Sequence, residues 1–163
     1  MEIRYYIFDK DGTLTRSKSG NKFVTKAEDQ ELIPGVMARL EELRIINPNA
    51  IFMIATNQGG VAHGFMTIKE AARIVNDAIR AIGGTISVFC PEDPTGTVPP
   101  YNVASLNRKP APGMLVTLMQ EAQAEPEEVM FIGDRPEDAE AAKAAGVQFA
   151  WADDFFGRTD VPA

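Results

Sequence analysis

Tyr5-Tyr6-Ile7-Phe8-Asp9-Lys10-Asp11-Gly12-Thr13-Leu14-Thr15 is the stretch around which the rest of the chain can be interpreted. The run from residue 3 to residue 8 is apolar apart from one arginine, which is typical of a strand buried on both faces of a sheet. Two carboxylates, Asp9 and Asp11, follow the run, and Gly12 comes directly after them. Because open α/β sheets bind ligands at the carboxyl ends of parallel strands, this arrangement predicts a functional site.

The spacing of the two acids suits catalysis. Carboxylates two residues apart, at the end of a strand, can share a cavity while one serves as nucleophile or metal ligand and the other as proton donor and acceptor. Gly12 lets the backbone turn sharply, and its N–H can donate a hydrogen bond without a side chain in the way. Thr13 adds a hydroxyl. An ordinary turn after a strand, in which Asp and Gly are common, is the alternative interpretation of these four residues.

Two later strands also end in polar residues. The apolar run Ala50–Ala55 leads into Thr56-Asn57-Gln58-Gly59-Gly60, whose hydroxyl, amides and backbone N–H groups can hold phosphoryl oxygens. The run Val129–Ile132 leads into Gly133-Asp134-Arg135-Pro136-Glu137-Asp138, which again places acids after a strand. A glycine-rich turn is the simpler explanation of the first of these segments.

Basic residues outside the strands are further candidates. In Arg108-Lys109-Pro110-Ala111-Pro112-Gly113-Met114, Pro112 can begin a helix, and a lysine just before a helix can reach a phosphate held near its N-terminus. His63, the single histidine, lies in a predicted loop and either faces substrate or has no role.

Composition limits the class of protein. The 163 residues are 45% hydrophobic and 24% charged, which fits one globular domain spanning 1–163. One cysteine excludes an internal disulfide, and one cysteine with one histidine argues against a zinc site. No apolar run approaches the length of a membrane span, and the start of the chain does not resemble a signal peptide. We therefore expect a cytoplasmic protein without a membrane partner.

The distribution of charge leaves two interpretations open. The net charge of −7 argues against nonspecific binding to nucleic acid. Five basic residues follow the first strand closely, and they form either a positive rim beside an anion site or a solvated polar loop. They are Lys10, Arg16, Lys18, Lys22 and Lys26.

Strand and helix patterns alternate along the chain. Helices are predicted over Val36–Ile46 and Glu137–Ala145, among others. The alternation predicts an α/β fold, a three-layer Rossmann-like domain with a mainly parallel central sheet. A flap at about 12–33 and an irregular loop at about 91–108 lie outside this alternation.

Four motifs, taken together, resemble those of the haloacid dehalogenase superfamily, the magnesium-dependent phosphatases with an aspartate nucleophile. The stretch Asp9–Thr15 resembles motif I, Thr56 fits motif II, Lys109 lies in a motif III pattern, and Gly133–Asp138 resembles motif IV. Thr56-Asn57-Gln58-Gly59 is narrower and resembles subfamily IIIA, the branch of histidinol-phosphate, heptose-bisphosphate and polynucleotide 3′-phosphatases.

The resemblance implies a role for each matching residue. Asp9 would be the nucleophile, Asp11 the general acid and base, and Lys109 a stabiliser of the transferring group. Mg²⁺ would be bound by Asp9, by Asp11 through its carbonyl, and by Asp134, with Asp138 supporting the site. The implied phosphate and substrate contacts are Gly12, Thr13, Thr56, Asn57, Gln58, His63 and Arg108.

The resemblance leaves the substrate open. Typical heptose-bisphosphate phosphatases carry a zinc site in the irregular loop, but this chain has no cysteine or histidine there, and its single cysteine, Cys90, directly precedes the loop. Neither connection that usually carries a cap has room for one, so we expect an open, capless site. Thr15-Arg16-Ser17 and Phe155-Phe156 resemble the polynucleotide 3′-phosphatases, so the sequence favours a nucleic acid 3′-phosphate terminus. The alternatives are a small phosphorylated metabolite (heptose bisphosphate, histidinol phosphate or another sugar phosphate) and a noncatalytic domain that binds phosphorylated ligands.

Overall fold

A central parallel sheet with helices on both faces forms the body of the molecule. The computed structural model describes residues 2–158. The strands are β1 (Tyr5–Phe8), β2 (Thr15–Ser17), β3 (Gln30–Leu32), β4 (Ile51–Asn57), β5 (Ile86–Cys90), β6 (Val129–Gly133) and β7 (Gln148–Trp151). The helices are α1 (Val36–Ile46), α2 (Ile68–Ala81), α3 (Gly113–Ala122), α4 (Pro136–Ala145) and α5 (Ala152–Phe156). None of the helices within 2–158 has both the length and the apolar character that crossing a bilayer requires.

The five strands of the main sheet are all parallel and lie in the order β5-β4-β1-β6-β7. β1 lies in the middle of the sheet and is buried along its whole length. Its Tyr5 and Ile7 side chains face one layer of helices, and Tyr6 and Phe8 face the other. Helices α3 and α4 pack on the first face, and α1, α2 and α5 pack on the second. The predicted three-layer α/β fold is confirmed.

The segment between β1 and α1 folds as a small antiparallel hairpin beside the main sheet. β2 pairs with β3 so that Thr15 lies opposite Leu32 and Ser17 opposite Gln30. A hydrogen bond of 2.8 Å from the backbone N–H of Ala27 to the Glu70 carboxylate attaches the connection between the two strands to α2. We call residues 12–33 the flap.

The second strand of the sheet is longer than the sequence predicts. Its predicted end is Ala55, but β4 continues to Asn57, because Thr56 and Asn57 pair with Phe89 and Cys90 of β5. Thr56 and Asn57 are therefore held by the sheet and not by the loop that follows.

Candidate active site

The carboxyl ends of β1, β4 and β6 meet at a cavity of about 660 Å³. The three strands are neighbours in the sheet, so side chains that are far apart in the sequence converge at this edge. Nine of the predicted site residues line the cavity: Asp9, Asp11, Thr56, Asn57, Gln58, His63, Arg108, Lys109 and Asp138.

An ammonium group between two carboxylates forms the floor of the cavity. Lys109 Nζ lies 2.7 Å from Asp9 Oδ1 and 2.8 Å from Asp138 Oδ1, and it donates a third hydrogen bond of 3.0 Å to the carbonyl of Ala55. Lys109, Asp9 and Asp138 are all buried. Burial alone would lower the pKa of Lys109, but the two carboxylates outweigh it and the pKa is raised, so the ammonium stays charged.

Burial acts on the carboxylates in the opposite direction. It raises the pKa of Asp9 to about 6, although the neighbouring ammonium of Lys109 opposes the shift. Burial also raises the pKa of Asp134 and of Asp138. Three acids whose charged forms are disfavoured by burial therefore lie close together, and two of them, Asp9 and Asp138, pair with the Lys109 ammonium.

The same acids offer oxygen ligands for a metal. Carboxylate oxygens of Asp9, Asp134 and Asp138 lie within 4.8 Å of one another. Asp138 is already used: its Oδ1 contacts Lys109, and its Oδ2 accepts hydrogen bonds of 3.1 Å from the backbone N–H groups of Asp134 and Arg135. Asp9 and Asp134 remain as carboxylate ligands, and oxygen donors of this kind fit Mg²⁺.

Gly12 allows Asp134 to approach the first loop. Its φ is +84°, and a Cβ at this position would overlap the Asp134 carboxylate. The next residue, Thr13, is buried, and its hydroxyl lies 3.5 Å from Asp9 Oδ2. Both residues thus shape the surroundings of Asp9 and Asp134, and their predicted contacts with substrate stay predictions.

Asp11 is held from two sides at the cavity wall. Its Oδ1 lies 2.8 Å from Lys10 Nζ, and its Oδ2 accepts a hydrogen bond of 3.0 Å from Gln58 Nε2, which also donates to the hydroxyl of Thr56 at 3.0 Å. Lys10 is 0% exposed. The suggestion that Lys10 belongs to an exposed basic rim is therefore wrong, because its side chain turns inward under the flap.

Asn57 has a contact that the sequence did not predict. Its Oδ1 accepts a hydrogen bond of 3.0 Å from the backbone N–H of Lys109, and its Nδ2 donates one of 3.1 Å to the Lys109 carbonyl. Since both ends of the amide hold the Lys109 backbone, Asn57 positions the lysine. The predicted contact of Asn57 with phosphate remains a prediction.

An acid that the sequence analysis missed organises the far side of the cavity. Asp93 Oδ2 lies 3.1 Å from His63 Nε2 and 3.1 Å from Arg108 Nη2, and its Oδ1 accepts hydrogen bonds from the backbone and hydroxyl of Thr95. Burial alone would raise the pKa of Asp93, but these donors outweigh it and the pKa is lowered. Asp93 lies in the irregular loop, where no periodic pattern marks a residue, so the sequence carries no signal for this pairing.

Comparisons with known proteins identify the family of the chain. Residues 4–159 match the family model described as polynucleotide kinase 3 phosphatase. A D-glycero-beta-D-manno-heptose-1,7-bisphosphate 7-phosphatase from Rhodopseudomonas palustris is 33% identical over 144 residues, which are 85% of this chain and 77% of the relative. A D-glycero-alpha-D-manno-heptose-1,7-bisphosphate 7-phosphatase from Photorhabdus laumondii is 26% identical over 151 residues, 90% of this chain and 80% of the relative.

A solved structure shares the fold. The D,D-heptose 1,7-bisphosphate phosphatase from B. bronchiseptica, crystallised with magnesium and phosphate, superposes with a TM-score of 0.74 at 23% identity. The match covers 99% of this chain and 89% of the other. At this identity the likeness supports the three-layer architecture.

Proposed function

The chain belongs to the polynucleotide kinase 3 phosphatase family and is a phosphatase of the haloacid dehalogenase superfamily, and on that premise we propose that it hydrolyses the phosphate monoester of a small phosphorylated sugar. The buried group of Asp9, Lys109 and Asp138 on the cavity floor carries the hydrolytic part of this proposal. A carboxylate held by a cation at the end of the central strand is suited to nucleophilic attack on phosphorus.

Similarity to the heptose-bisphosphate phosphatases supports a sugar phosphate as substrate. The relatives named above act on heptose bisphosphates, and they match most of both chains. This evidence favours the small-metabolite alternative over the nucleic acid 3′-terminus that the sequence suggests. The net charge of −7 also opposes nonspecific binding to nucleic acid. Arg108 and His63 on the cavity wall offer basic groups to a phosphorylated sugar.

In the proposed reaction Asp9 attacks phosphorus. A bond forms between an Asp9 carboxylate oxygen and phosphorus while the ester bond to the sugar oxygen breaks, and Asp11 donates a proton to that oxygen. Asp11 then accepts a proton from the water that hydrolyses the aspartyl-phosphate, so the enzyme returns to its starting state and inorganic phosphate leaves. Lys109 restrains Asp9 and lowers the cost of charge on the transferring group.

Asp9 and Asp134 would hold Mg²⁺ through their carboxylates, together with the carbonyl of Asp11. The ion, when bound, supplies positive charge that offsets the repulsion between a phosphate dianion and the acids of the site. The chain's own contribution is to hold Asp134 beside Asp9, which it does through the close approach at Gly12 and through the hydrogen bond from the Asp134 N–H to Asp138.

Phosphate release with Mg²⁺ or with a chelator tests the proposal. The substrates are heptose 1,7-bisphosphate, histidinol phosphate, an oligonucleotide with a 3′-phosphate, its 5′-phosphorylated counterpart and an aryl phosphate. We expect Mg²⁺-dependent release that is fastest from heptose bisphosphate and that Asp9→Asn abolishes. Asp77→Asn, the same chemical change at an exposed position of α2, is the matched control and should behave as wild type.

Other outcomes would lead to different conclusions. Release from the 3′-phosphorylated oligonucleotide alone would keep the mechanism and restore the nucleic acid substrate, which the name of the matching family model favours. Failure of the folded protein to release phosphate from any substrate would contradict the catalytic proposal and favour a phospho-ligand-binding domain.

A further inference from the structure

We propose that Lys10 is a positioning residue for Asp11, and that through Lys10 the flap orients the group that transfers the proton to the leaving oxygen. This inference rests on the proposed function, because it concerns the proton-transfer step of that reaction. Lys10 does not line the cavity, so its effect would be exerted through Asp11.

The Lys10 ammonium is saturated by partners on three sides. Its side chain is 0% exposed, and Nζ donates to Asp11 Oδ1 at 2.8 Å, to Gln30 Oε1 at 2.7 Å and to the hydroxyl of Thr15 at 3.2 Å. An ammonium has three donors, so each has an acceptor here. Rotation of the lysine would therefore leave a buried charge without part of its hydrogen bonding, which is costly.

The partners of Lys10 are themselves anchored. Thr15 and Gln30 lie on the two strands of the flap hairpin, and Gln30 Nε2 donates a hydrogen bond of 3.0 Å to the carbonyl of Ile74 in α2. The backbone carbonyl of Lys10 accepts hydrogen bonds from the N–H groups of residues 13, 14 and 15 at 3.1, 2.8 and 3.0 Å. A continuous set of contacts thus leads from α2 through the flap to the Asp11 carboxylate.

Among residues 2–158, Lys10 and Gln58 are the two side chains that hydrogen-bond the Asp11 carboxylate. Lys10, just after β1, donates to one carboxylate oxygen, and Gln58, just after β4, donates to the other. The contact with Lys10 joins two charged groups, whereas the Gln58 amide is neutral, so Lys10 makes the stronger of the two contacts with the carboxylate. Loss of Lys10 would leave Asp11 free to turn about the single contact with Gln58.

A positioning role and a purely structural role of Lys10 predict different effects of the Lys10 substitution on kcat/KM as the leaving group is varied. Protonation by Asp11 matters for a sugar or alkyl oxygen, which leaves poorly as an anion, and matters little for a nitrophenolate, which leaves readily without a proton. The ratio kcat/KM includes every step up to cleavage of the ester bond, so it reports this difference even when later hydrolysis of the aspartyl-phosphate limits kcat.

The test measures kcat/KM of Lys10→Met for a series of substituted phenyl phosphates and for a sugar phosphate. We expect a loss of about 100-fold with the sugar phosphate and of less than about threefold with the most acidic phenol, so that the dependence on leaving-group pKa becomes steeper. Asp11→Asn should show the same pattern more strongly. Lys69→Met, the same chemical change at an exposed position of α2 outside the cavity, is the matched control and should match wild type.

Gln30→Met provides a second variant, because Lys10→Met removes a buried charge and can unfold the protein. It takes away one acceptor of Lys10 and leaves the lysine in place, and we expect a smaller steepening of the same plot. Circular dichroism and thermal unfolding establish that each variant is folded before kinetics are compared.

The outcomes separate this inference from the proposed function. Steeper leaving-group dependence in a folded Lys10→Met or, if that variant does not fold, in Gln30→Met supports it. An equal loss for every leaving group, or no loss, in a folded variant overturns it and leaves the phosphatase activity of the wild type untouched. If wild type releases phosphate from none of these esters, the proposed function fails and the inference fails with it.

Discussion

Replacing Lys109 by methionine should destabilise the protein strongly, since its ammonium pairs with two buried carboxylates, Asp9 and Asp138, and a third acid, Asp134, lies close to both. The carboxylate oxygens of Asp9, Asp134 and Asp138 lie within 4.8 Å of one another. Two unit charges at that distance repel by about 3.5 kcal/mol at an effective dielectric constant of about 20. Removing one partner of a buried ion pair typically costs about 3–5 kcal/mol, so we expect a decrease of that size in the free energy of unfolding at pH 8 in chelator.

The loss should be smaller at low pH. Burial already raises the pKa of Asp9 to about 6, and without the ammonium of Lys109 the pKa values of Asp9 and Asp138 would rise further. The folded variant then binds more protons than the unfolded chain, so its stability increases as the pH falls from 8 towards 5. The difference between the variant and wild type should therefore narrow over this range.

Urea unfolding followed by circular dichroism at pH 8 and pH 5 measures both effects. Lys143→Met, at an exposed position of α4, is the matched control and should change stability by less than about 0.5 kcal/mol. Adding Asp138→Asn to Lys109→Met should cost less than the sum of the single changes, because it removes one of the unpaired acids. A Lys109→Met protein as stable as wild type at pH 8 would refute this electrostatic account of the site.

Two further predictions concern the loop and the metal. Gly12→Ala should lower the free energy of unfolding by at least about 1 kcal/mol in urea unfolding and should abolish phosphate release. The reason is that residue 12 has a φ of +84° and that a Cβ there would overlap the Asp134 carboxylate. A stable, active variant would contradict this prediction. Added Mg²⁺ should raise the melting temperature more at pH 8 than at pH 5. The pKa of Asp9 is about 6, so at pH 5 the ion must displace a proton from this carboxylate in order to bind. Equal shifts of the melting temperature at both pH values would argue against Asp9 as a ligand.

The sequence determined the architecture because the relevant signals are local. Apolar runs bounded by glycine, proline and polar residues mark β1, β4 and β6, and the helix predicted over Val36–Ile46 has those bounds in the structure. The acids after β1 and β6 were also identifiable, since a buried strand that ends in carboxylates is conspicuous in any parallel sheet. Parallel strands share one edge, so the strand ends alone predicted that Asp9, Thr56 and Asp134 would be neighbours.

Only the tertiary structure decided which groups pair with one another. The ion pair between Lys109 and Asp9 joins residues 100 positions apart, and no sequence period relates them. Lys10 looked like one member of an exposed basic cluster, yet the flap encloses it and directs its charge to Asp11. Asp93 lies in a segment without regular structure, and its contacts with His63 and Arg108 depend on how that loop folds over the sheet edge. Local sequence patterns predict which residues lie at the edge of the sheet. The partner of each buried charge depends on tertiary packing, because a buried charge must be paired and hydrogen-bonded.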